Sequence, residues 1–180
     1  MINGSRRLPC NNDEVANFAE RKRLLLTTAS GGWPPANGGY NIIDNVVIKK
    51  GMKFDRYQVS DFGTDVKGNP ILGGSYTSPV NGKPYTFEAR ALENQESYYG
   101  LFYEIEVLKD LPFTTMDADV IPWHGHIGGG KQNFWKIPID PKTGYPKSWN
   151  KLAEEGYIRI TIKKSPSGKY SSLIGTVIEK

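Results

Sequence analysis

The stretch F-Y-E-I-E-V-L at residues 102–108 decides the fold class of this chain. Apolar and acidic side chains alternate along it, and successive side chains of a β-strand point to opposite faces of the sheet. The alternation therefore predicts a half-buried strand.

Further short strands are predicted on both sides of this stretch. Residues 42–49 are rich in Ile and Val, residues 85–90 alternate aromatic and polar side chains, and residues 134–137 form another candidate. Residues 157–162 and 171–178 flank Pro166-Ser167-Gly168, which predicts a closing hairpin. Strands of this kind indicate a mostly antiparallel sheet.

Two helices are predicted, one before the strands and one late in the chain. Asn11 and Glu14 have capping-box spacing, and apolar residues at helical spacing follow, which predicts a helix over about 13–27. Ser148 as N-cap and Gly156 beyond the end predict a short helix over 148–155. The fold class is therefore α+β: one compact domain in which a helical segment, 1–32, forms a single structural unit with residues 33–180.

Composition bounds the class of protein. A chain of 180 residues is long enough for one domain with a real core. No apolar run approaches the ~18 residues that a membrane span needs, and the N-terminus lacks the apolar core of a signal peptide. Cys10 is the only cysteine, which excludes an intrachain disulfide and a cysteine-based zinc site. The net charge of +4 is compatible with binding to an acidic ligand, a nucleic acid or an acidic protein. The alternative is that it only reflects a slight excess of lysines on a solvated surface.

Two glycine-containing stretches mark candidate functional loops. V-I-P-W-H-G-H-I-G-G-G-K-Q covers residues 120–132, and Gly73-Gly74-Ser75-Tyr76 precedes it by about fifty positions. Glycine in regular structure is less stable than alanine by roughly 0.5–1 kcal/mol, so three in a row indicate a backbone that closely approaches another group. The alternative is a mobile glycine loop.

Five short motifs, in order along about 33–162, give the chain a resemblance to a known family. They are Pro34-Pro35-Ala36-Asn37-Gly38, Asp55-Arg56-Tyr57, Gly74-Ser75-Tyr76-Thr77-Ser78-Pro79, Phe87-Glu88-Ala89-Arg90-Ala91-Leu92, and the run from Pro122-Trp123 to Gln132. This pattern resembles the NAD-glycohydrolase toxins typified by the tuberculosis necrotizing toxin domain, which are related to ADP-ribosyltransferase toxins.

The resemblance implies an enzyme that hydrolyses the nicotinamide–ribose bond of NAD+ or NADP+ to give nicotinamide and ADP-ribose. NAD+ is then the substrate, and no cofactor is expected. Such an activity would kill its producer, so an immunity protein is an expected partner, whereas nucleic acid is not. The domain is expected to be secreted or delivered as an effector into the cytoplasm of a target cell.

The two arginines of these motifs are candidates for binding the phosphates of NAD+. The departing pyridinium becomes neutral, so positioning and charge stabilisation should outweigh proton transfer. The guanidinium of Arg56 can donate two parallel hydrogen bonds to the pyrophosphate, and Arg90 is the second candidate. The alternative for each is a surface arginine that pairs with Asp55 or Glu88.

Four further side chains are candidates for the rest of the substrate. Tyr76 is expected to stack on nicotinamide and Ser75 to donate to its amide or to ribose, unless both belong to a tight turn. Tyr57 is either a core residue or a platform for adenine. Gln132 is the catalytic candidate beside Arg56, because an amide both donates and accepts and so can hold the nicotinamide ribose. A turn-capping role is its alternative.

The histidines and the departures from the family pattern leave other functions open. His124 and His126 would face one side of an extended segment, as the acid and base of an RNase or as ordinary loop residues; they lack a third ligand, so no metal site is predicted. The family often has His where Tyr103 stands, Gly where Gln58 stands, and Gly-Gln-Pro where 125–127 read Gly-His-Ile. The alternatives are therefore an ADP-ribosyltransferase or cyclase, an inactive NAD-binding module, and an RNase.

Overall fold

The computed structural model describes residues 34–180. Its strands are β1 (Gly39–Val47), β2 (Lys53–Gln58), β3 (Tyr76–Pro79), β4 (Leu101–Val107), β5 (Thr114–Val120), β6 (Lys131–Trp135), β7 (Ile158–Lys164) and β8 (Val177–Ile178), with one α-helix, α1 (Trp149–Glu154). They form one eight-stranded sheet in the order β1-β5-β6-β3-β2-β4-β7-β8, and every pairing is antiparallel. The predicted antiparallel α+β architecture is confirmed for this range, whereas the helix predicted over 13–27 and the segment 1–32 lie outside the described residues.

Strand β4 is the stretch from which the fold class was predicted, and it lies inside the sheet between β2 and β7. Its alternate residues Tyr103, Ile105 and Val107 are at most 1% exposed and belong to the main core, while the glutamates between them are partly exposed. The alternation therefore reports a real difference between the two faces of β4. Phe102 is buried as well, but in a separate cluster that it forms with Tyr57, Phe87 and Tyr99; we call it the second aromatic cluster.

Helix α1 confirms the second predicted helix. Ser148 caps it, because its hydroxyl oxygen accepts a hydrogen bond from the Lys151 N–H over 3.1 Å. Gly156 follows the helix with a φ of 78°. The helix packs against β7, and its Trp149 meets Trp135 edge to face at 4.9 Å. Over residues 34–180, the structure contains no helix of the length and hydropathy that crossing a membrane requires.

The strand predicted over 85–90 is wrong. This segment forms a 3₁₀ turn at Glu88–Arg90, entered at Phe87. In a 3₁₀ turn, residues three apart lie one above the other, and Phe87 and Arg90 are accordingly the two buried residues of the segment. The burial therefore follows the three-residue spacing of the turn, and the alternation of aromatic and polar residues does not correspond to two faces of a strand.

The other predicted strands differ from the structure mainly in their bounds. The strands expected over 42–49 and 134–137 appear as β1 and β6. The closing hairpin is only partly confirmed, because β8 has two residues and a 3₁₀ turn at Ser171–Leu173 takes up much of its predicted length. β8 still pairs antiparallel with β7.

Strand β3 joins the two halves of the sheet and leaves an opening beside it. β3 pairs with β2 only at Phe54–Pro79 and Asp55–Ser78, and with β6 only at two positions, Tyr76–Phe134 and Thr77–Asn133. Beyond Asp55, β2 and β3 separate. We call the resulting gap between residues 56–57 and 76–77 the seam; it positions the candidate site.

Candidate functional site

A cavity of about 60 Å³ lies at the seam. It is lined by Asp55, Arg56, Tyr57, Tyr76, Thr77, Ser78, Arg90, Leu92, Val120 and Gln132. Five of the six residues singled out from the sequence are among them, although they come from β2, β3, β6 and the 3₁₀ turn at Glu88–Arg90. Ser75 is the exception and does not line the cavity.

Arg56 bridges the seam and keeps unused donors. Where the ladder between β2 and β3 ends, its Nη1 donates to the Tyr76 carbonyl over 2.6 Å. Its Nε is buried without a hydrogen-bond acceptor, and no carboxylate within residues 34–180 forms an ion pair with it. Gly74, with a φ of 102°, leaves room for this guanidinium, since a Cβ there would collide with it. The close approach expected at Gly74 is therefore made by Arg56.

Arg90 is paired inside the protein rather than at its surface. Its Nη1 and Nη2 donate to the two carboxylate oxygens of Asp55 over 2.5 and 3.0 Å, and Nη2 also reaches the Tyr85 carbonyl. The guanidinium lies 5.1 Å from the Tyr57 ring centroid. Burial raises the pKa of Asp55, and the hydrogen bonds from Arg90 oppose that rise. Arg90 therefore meets the expected partner Asp55, but both side chains are buried.

Tyr57 lies in the second aromatic cluster and contributes its remaining exposed edge to the cavity wall. Its ring packs edge to face on Phe87 at 5.2 Å and on Tyr99 at 5.7 Å. Its hydroxyl donates to Glu96 over 2.6 Å. Burial, together with that hydrogen bond, raises the pKa of Tyr57. Of the two roles predicted from the sequence, the geometry matches the core role.

Tyr76 and Gln132 meet at Asn37. The Tyr76 hydroxyl accepts a hydrogen bond from Asn37 Nδ2 over 2.6 Å, and Gln132 Nε2 donates to the Asn37 carbonyl over 3.3 Å. Gln132 lies on β6 opposite Ala118, not in a loop as its position after the glycines had indicated. The Ser75 carbonyl accepts from the Trp135 N–H over 2.8 Å and so extends the pairing of β3 with β6.

The three consecutive glycines dock the Glu88–Arg90 turn onto the sheet. Gly130 donates its N–H to the Ala89 carbonyl over 2.9 Å, and Gly128 donates to Glu88 over 3.1 Å. A Cβ on Gly130 would lie 2.7 Å from that Ala89 oxygen, and one on Gly128 would lie 2.6 Å from the Ile121 backbone. The close approach predicted for this loop is therefore to the chain's own backbone, and it brings Arg90 beside Gln132.

The two histidines lie in a tight turn outside the cavity lining. Trp123 and His126 exchange backbone hydrogen bonds of 2.9 and 3.2 Å, and His124 has a φ of 52°. The extended segment expected to place both rings on one side is therefore wrong. Burial lowers the pKa of His124, and His126 Nε2 lies 3.1 Å from the Asn94 carbonyl oxygen. Among the described residues, no group of three His, Cys, Asp or Glu side chains could hold a metal ion.

Several cavity residues were not singled out from the sequence. Asp55 stood in a quoted motif, and its pairing with Arg90 was considered only as an alternative. Thr77 and Ser78 are buried polar residues of β3, and Thr77 accepts from Trp135 Nε1 over 2.8 Å. Asn37, which contacts two lining residues, carried a local signal in the Asn37-Gly38 pair, which is typical of turns with positive φ.

Comparison with known proteins gives a distant structural likeness. No protein-family model and no curated protein matches the chain. A similar solved structure is that of the tuberculosis necrotizing toxin complexed with its immunity factor, at 19% sequence identity and a TM-score of 0.45. The match covers 70% of this chain and 59% of that chain, so this chain spans less than two thirds of the toxin's length.

Proposed function

We propose that this protein is an NAD+ glycohydrolase, which cleaves the nicotinamide–ribose bond of NAD+ or NADP+ with water. The observation that carries the proposal is the cavity in which a glutamine amide comes together with an arginine that pairs with no carboxylate of residues 34–180. Both residues lie in motifs that resemble the NAD-glycohydrolase toxins.

Arg56 is the proposed anion-binding group. Arg90 is buried and Arg56 is partly buried, and a guanidinium nitrogen removed from water is costly unless charge or hydrogen bonds compensate it. Arg90 has that compensation from Asp55, whereas Arg56 donates to a backbone carbonyl and, within the described part of the chain, keeps a buried Nε without an acceptor. A phosphate oxygen of the substrate would supply both the missing charge and the missing acceptor.

Gln132 is the proposed ribose-binding group. Its Nε2 is held by the Asn37 carbonyl, and the amide carbonyl remains to accept from a ribose hydroxyl. Hydrogen bonds of this kind favour the oxocarbenium-like transition state when they strengthen as charge develops. A neutral amide provides no general base for a protein acceptor, which favours water.

The size of the cavity limits how the substrate is placed. At about 60 Å³ it is much smaller than the ~300–1,000 Å³ of ordinary ligand pockets. We therefore propose that one polar group of the dinucleotide enters beside Arg56 and the remainder lies across the opening of the cavity.

The proposal includes the biological setting that the sequence resemblance implies. The domain would act as an effector delivered into the cytoplasm of a target cell, and an immunity protein would protect the producer. An acidic inhibitor would complement the net charge of +4.

The test is to incubate the purified chain with NAD+ and, separately, with NADP+, and to separate the products by chromatography. Release of nicotinamide in equal amount with free ADP-ribose from NAD+, or with free ADP-ribose 2′-phosphate from NADP+, would support the proposal. ADP-ribose attached to protein would indicate a transferase, and a cyclic product would indicate a cyclase. Absence of all products from folded protein would contradict an NAD-cleaving function. The matched control is Arg159→Ala, which replaces a partly exposed arginine on β7 that pairs with Glu106 and Glu179.

A further inference from the structure

Asn37 lies outside the cavity lining but contacts two side chains that form it. Its side-chain Nδ2 donates to the Tyr76 hydroxyl over 2.6 Å. Its backbone carbonyl accepts from Gln132 Nε2 over 3.3 Å. The side chain and the backbone of one residue therefore hold two different members of the candidate site, on β3 and on β6.

The backbone of Asn37 is fixed independently of these two contacts. Asn37 has a φ of 52° and Gly38 a φ of 81°, so two consecutive residues are left-handed. Asparagine is one of the few residues besides glycine that adopts this conformation readily. The Gly38 carbonyl also accepts from the Ile121 N–H over 2.9 Å, which anchors the turn just beyond the end of β5. The position of Asn37 is thus set by its backbone turn and not by the two side chains that it contacts.

The chemistry of the amide sets the direction of the hydrogen bond to Tyr76. An amide nitrogen only donates, so the Tyr76 oxygen accepts and the hydroxyl keeps its own proton for another acceptor. Burial raises the pKa of Tyr76, and the hydrogen bond from Asn37 only partly opposes that rise. Held in this way, Tyr76 is a donor toward a ligand.

We propose that Asn37 is a positioning residue, which orients Tyr76 as a hydrogen-bond donor and turns the carbonyl of the Gln132 amide toward the substrate. This inference rests on the proposed NAD+ glycohydrolase function, since it assigns the orientation of that site. Asn37 itself is not expected to touch the substrate.

Two substitutions at Asn37 alter its side-chain contact with Tyr76 and leave its backbone carbonyl in place for Gln132. Asn37→Asp keeps the shape but replaces the donor with a carboxylate, which accepts a hydrogen bond from the Tyr76 hydroxyl and so occupies the O–H that would otherwise point to the substrate. Asn37→Gly tolerates the left-handed backbone and keeps the carbonyl that accepts from Gln132, and it removes the side chain that donates to Tyr76. The matched control is Asn45→Gly, the same substitution at an exposed residue of β1 with a φ of 56°.

We expect Asn37→Asp to lower kcat for NAD+ about tenfold and to leave KM within about twofold of the wild-type value. A loss of this size corresponds to one hydrogen bond that is made in the transition state. Asn37→Gly should lower kcat less, and Asn45→Gly should not change it. In a Tyr76→Phe background the further effect of Asn37→Asp should disappear, because contacting residues are not additive. Additive losses, or an unchanged kcat in both Asn37 variants, would overturn the proposal.

A second measurement keeps the inference separate from the proposed reaction. NMR of protein carrying tyrosine labelled with ¹³C at Cζ identifies Tyr76 as the resonance missing from Tyr76→Phe. That resonance should move in Asn37→Asp and stay in place in Asn45→Gly. If the wild type does not cleave NAD+, the proposed function fails, and this spectrum still decides the role of Asn37: an unmoved Tyr76 resonance overturns it.

Discussion

Arg56 and Arg90 differ in what surrounds their charge, and that difference is the reason that Arg56, not Arg90, is the proposed anion-binding group. Arg90 is satisfied by both oxygens of Asp55 and by a backbone carbonyl. Within residues 34–180, Arg56 donates to the Tyr76 carbonyl and acts on the Tyr103 hydroxyl, but its Nε has no acceptor. Removing Arg90 would leave a buried carboxylate unpaired, which is strongly destabilising, whereas removing Arg56 mainly removes donors from the cavity.

Arg56→Ala should lower kcat/KM for NAD+ about a hundredfold. Hydrogen bonds to charged groups contribute roughly 1.5–3 kcal/mol each, and two of them to the pyrophosphate account for that loss. Arg56→Lys should recover little, because an ammonium lacks the planar fork. Steady-state kinetics with melting temperatures tests this, with Arg159→Ala as control; near-normal activity of a folded Arg56→Ala protein would contradict the role.

Gln132→Ala should lower kcat while NAD+ binding stays nearly intact, because its hydrogen bonds are realised mainly in the transition state. Gln132→Glu keeps the shape but loses the N–H donors that reach the Asn37 carbonyl. It should remain a measurable but slower glycohydrolase. Calorimetric titration with NAD+ beside turnover and melting temperature distinguishes this from a structural role, which predicts parallel losses of stability and activity in both variants.

At the scale of elements, the site depends on how the Glu88–Arg90 turn is attached to the sheet. Gly128 and Gly130 hydrogen-bond to the carbonyls of Glu88 and Ala89, and neither has space for a side chain. A Cβ on Gly129, between them, would stand in open space, but the φ of this residue is 88°. Adjacent glycines are therefore required for different reasons, one steric and the other conformational.

Gly130→Ala should lower kcat by more than the loss in free energy of unfolding accounts for. The new Cβ would displace the Ala89 carbonyl and so move the turn that carries Arg90. We expect a destabilisation of about 1–3 kcal/mol, or roughly 2–4 °C in melting temperature per kcal/mol for a protein of this size. Gly129→Ala should be destabilised by about 1–2 kcal/mol through its left-handed backbone while its kcat is retained. Equal kcat in the two variants would refute this division.

At the scale of the whole molecule, acid stability should depend on Asp65. Burial alone would raise the pKa of Asp65, but the hydrogen bonds it accepts from Asn69, Asn150 and Lys67 outweigh burial and lower it. The Asn150 contact, 3.1 Å long, ties this loop to α1. A carboxyl whose folded pKa is lowered stabilises the fold above its unfolded pKa of about 3.9, and this stability is lost as the pH falls through the folded pKa.

Asp65→Asn should therefore melt below the wild type at neutral pH, and the gap should narrow as the pH falls below about 4. Thermal unfolding followed by circular dichroism from neutral pH down to about pH 2.5 measures it. A gap that stays constant over this range would show that the carboxylate charge of Asp65 does not contribute.

What could be predicted from the sequence was what local rules decide. The alternation over 102–108 and the Ser148 cap act within a few residues, and β4 and α1 confirm both predictions. The segment 85–90 could not be assigned correctly, because its burial depends on Asp55, to which Arg90 binds from 35 positions away. Gln132 was found as a candidate, but its place on β6 depends on its pairing with Ala118.

The scant pairing of β3 has a mechanical consequence. β4 shares six register pairs with β2 and six with β7, whereas β3 shares two with each of its neighbours. The edge strand β8 is paired as sparsely, with two register pairs to β7, but inside the sheet the ladders of β3 are the shortest. Under thermal fluctuation the interior of the sheet should therefore open first along β3. This local opening would move β6, which carries Gln132, away from β2, which carries Arg56. The cavity of about 60 Å³ would then widen enough to bind a larger ligand. Amide protons of β3 should accordingly exchange with deuterium sooner than those of β4.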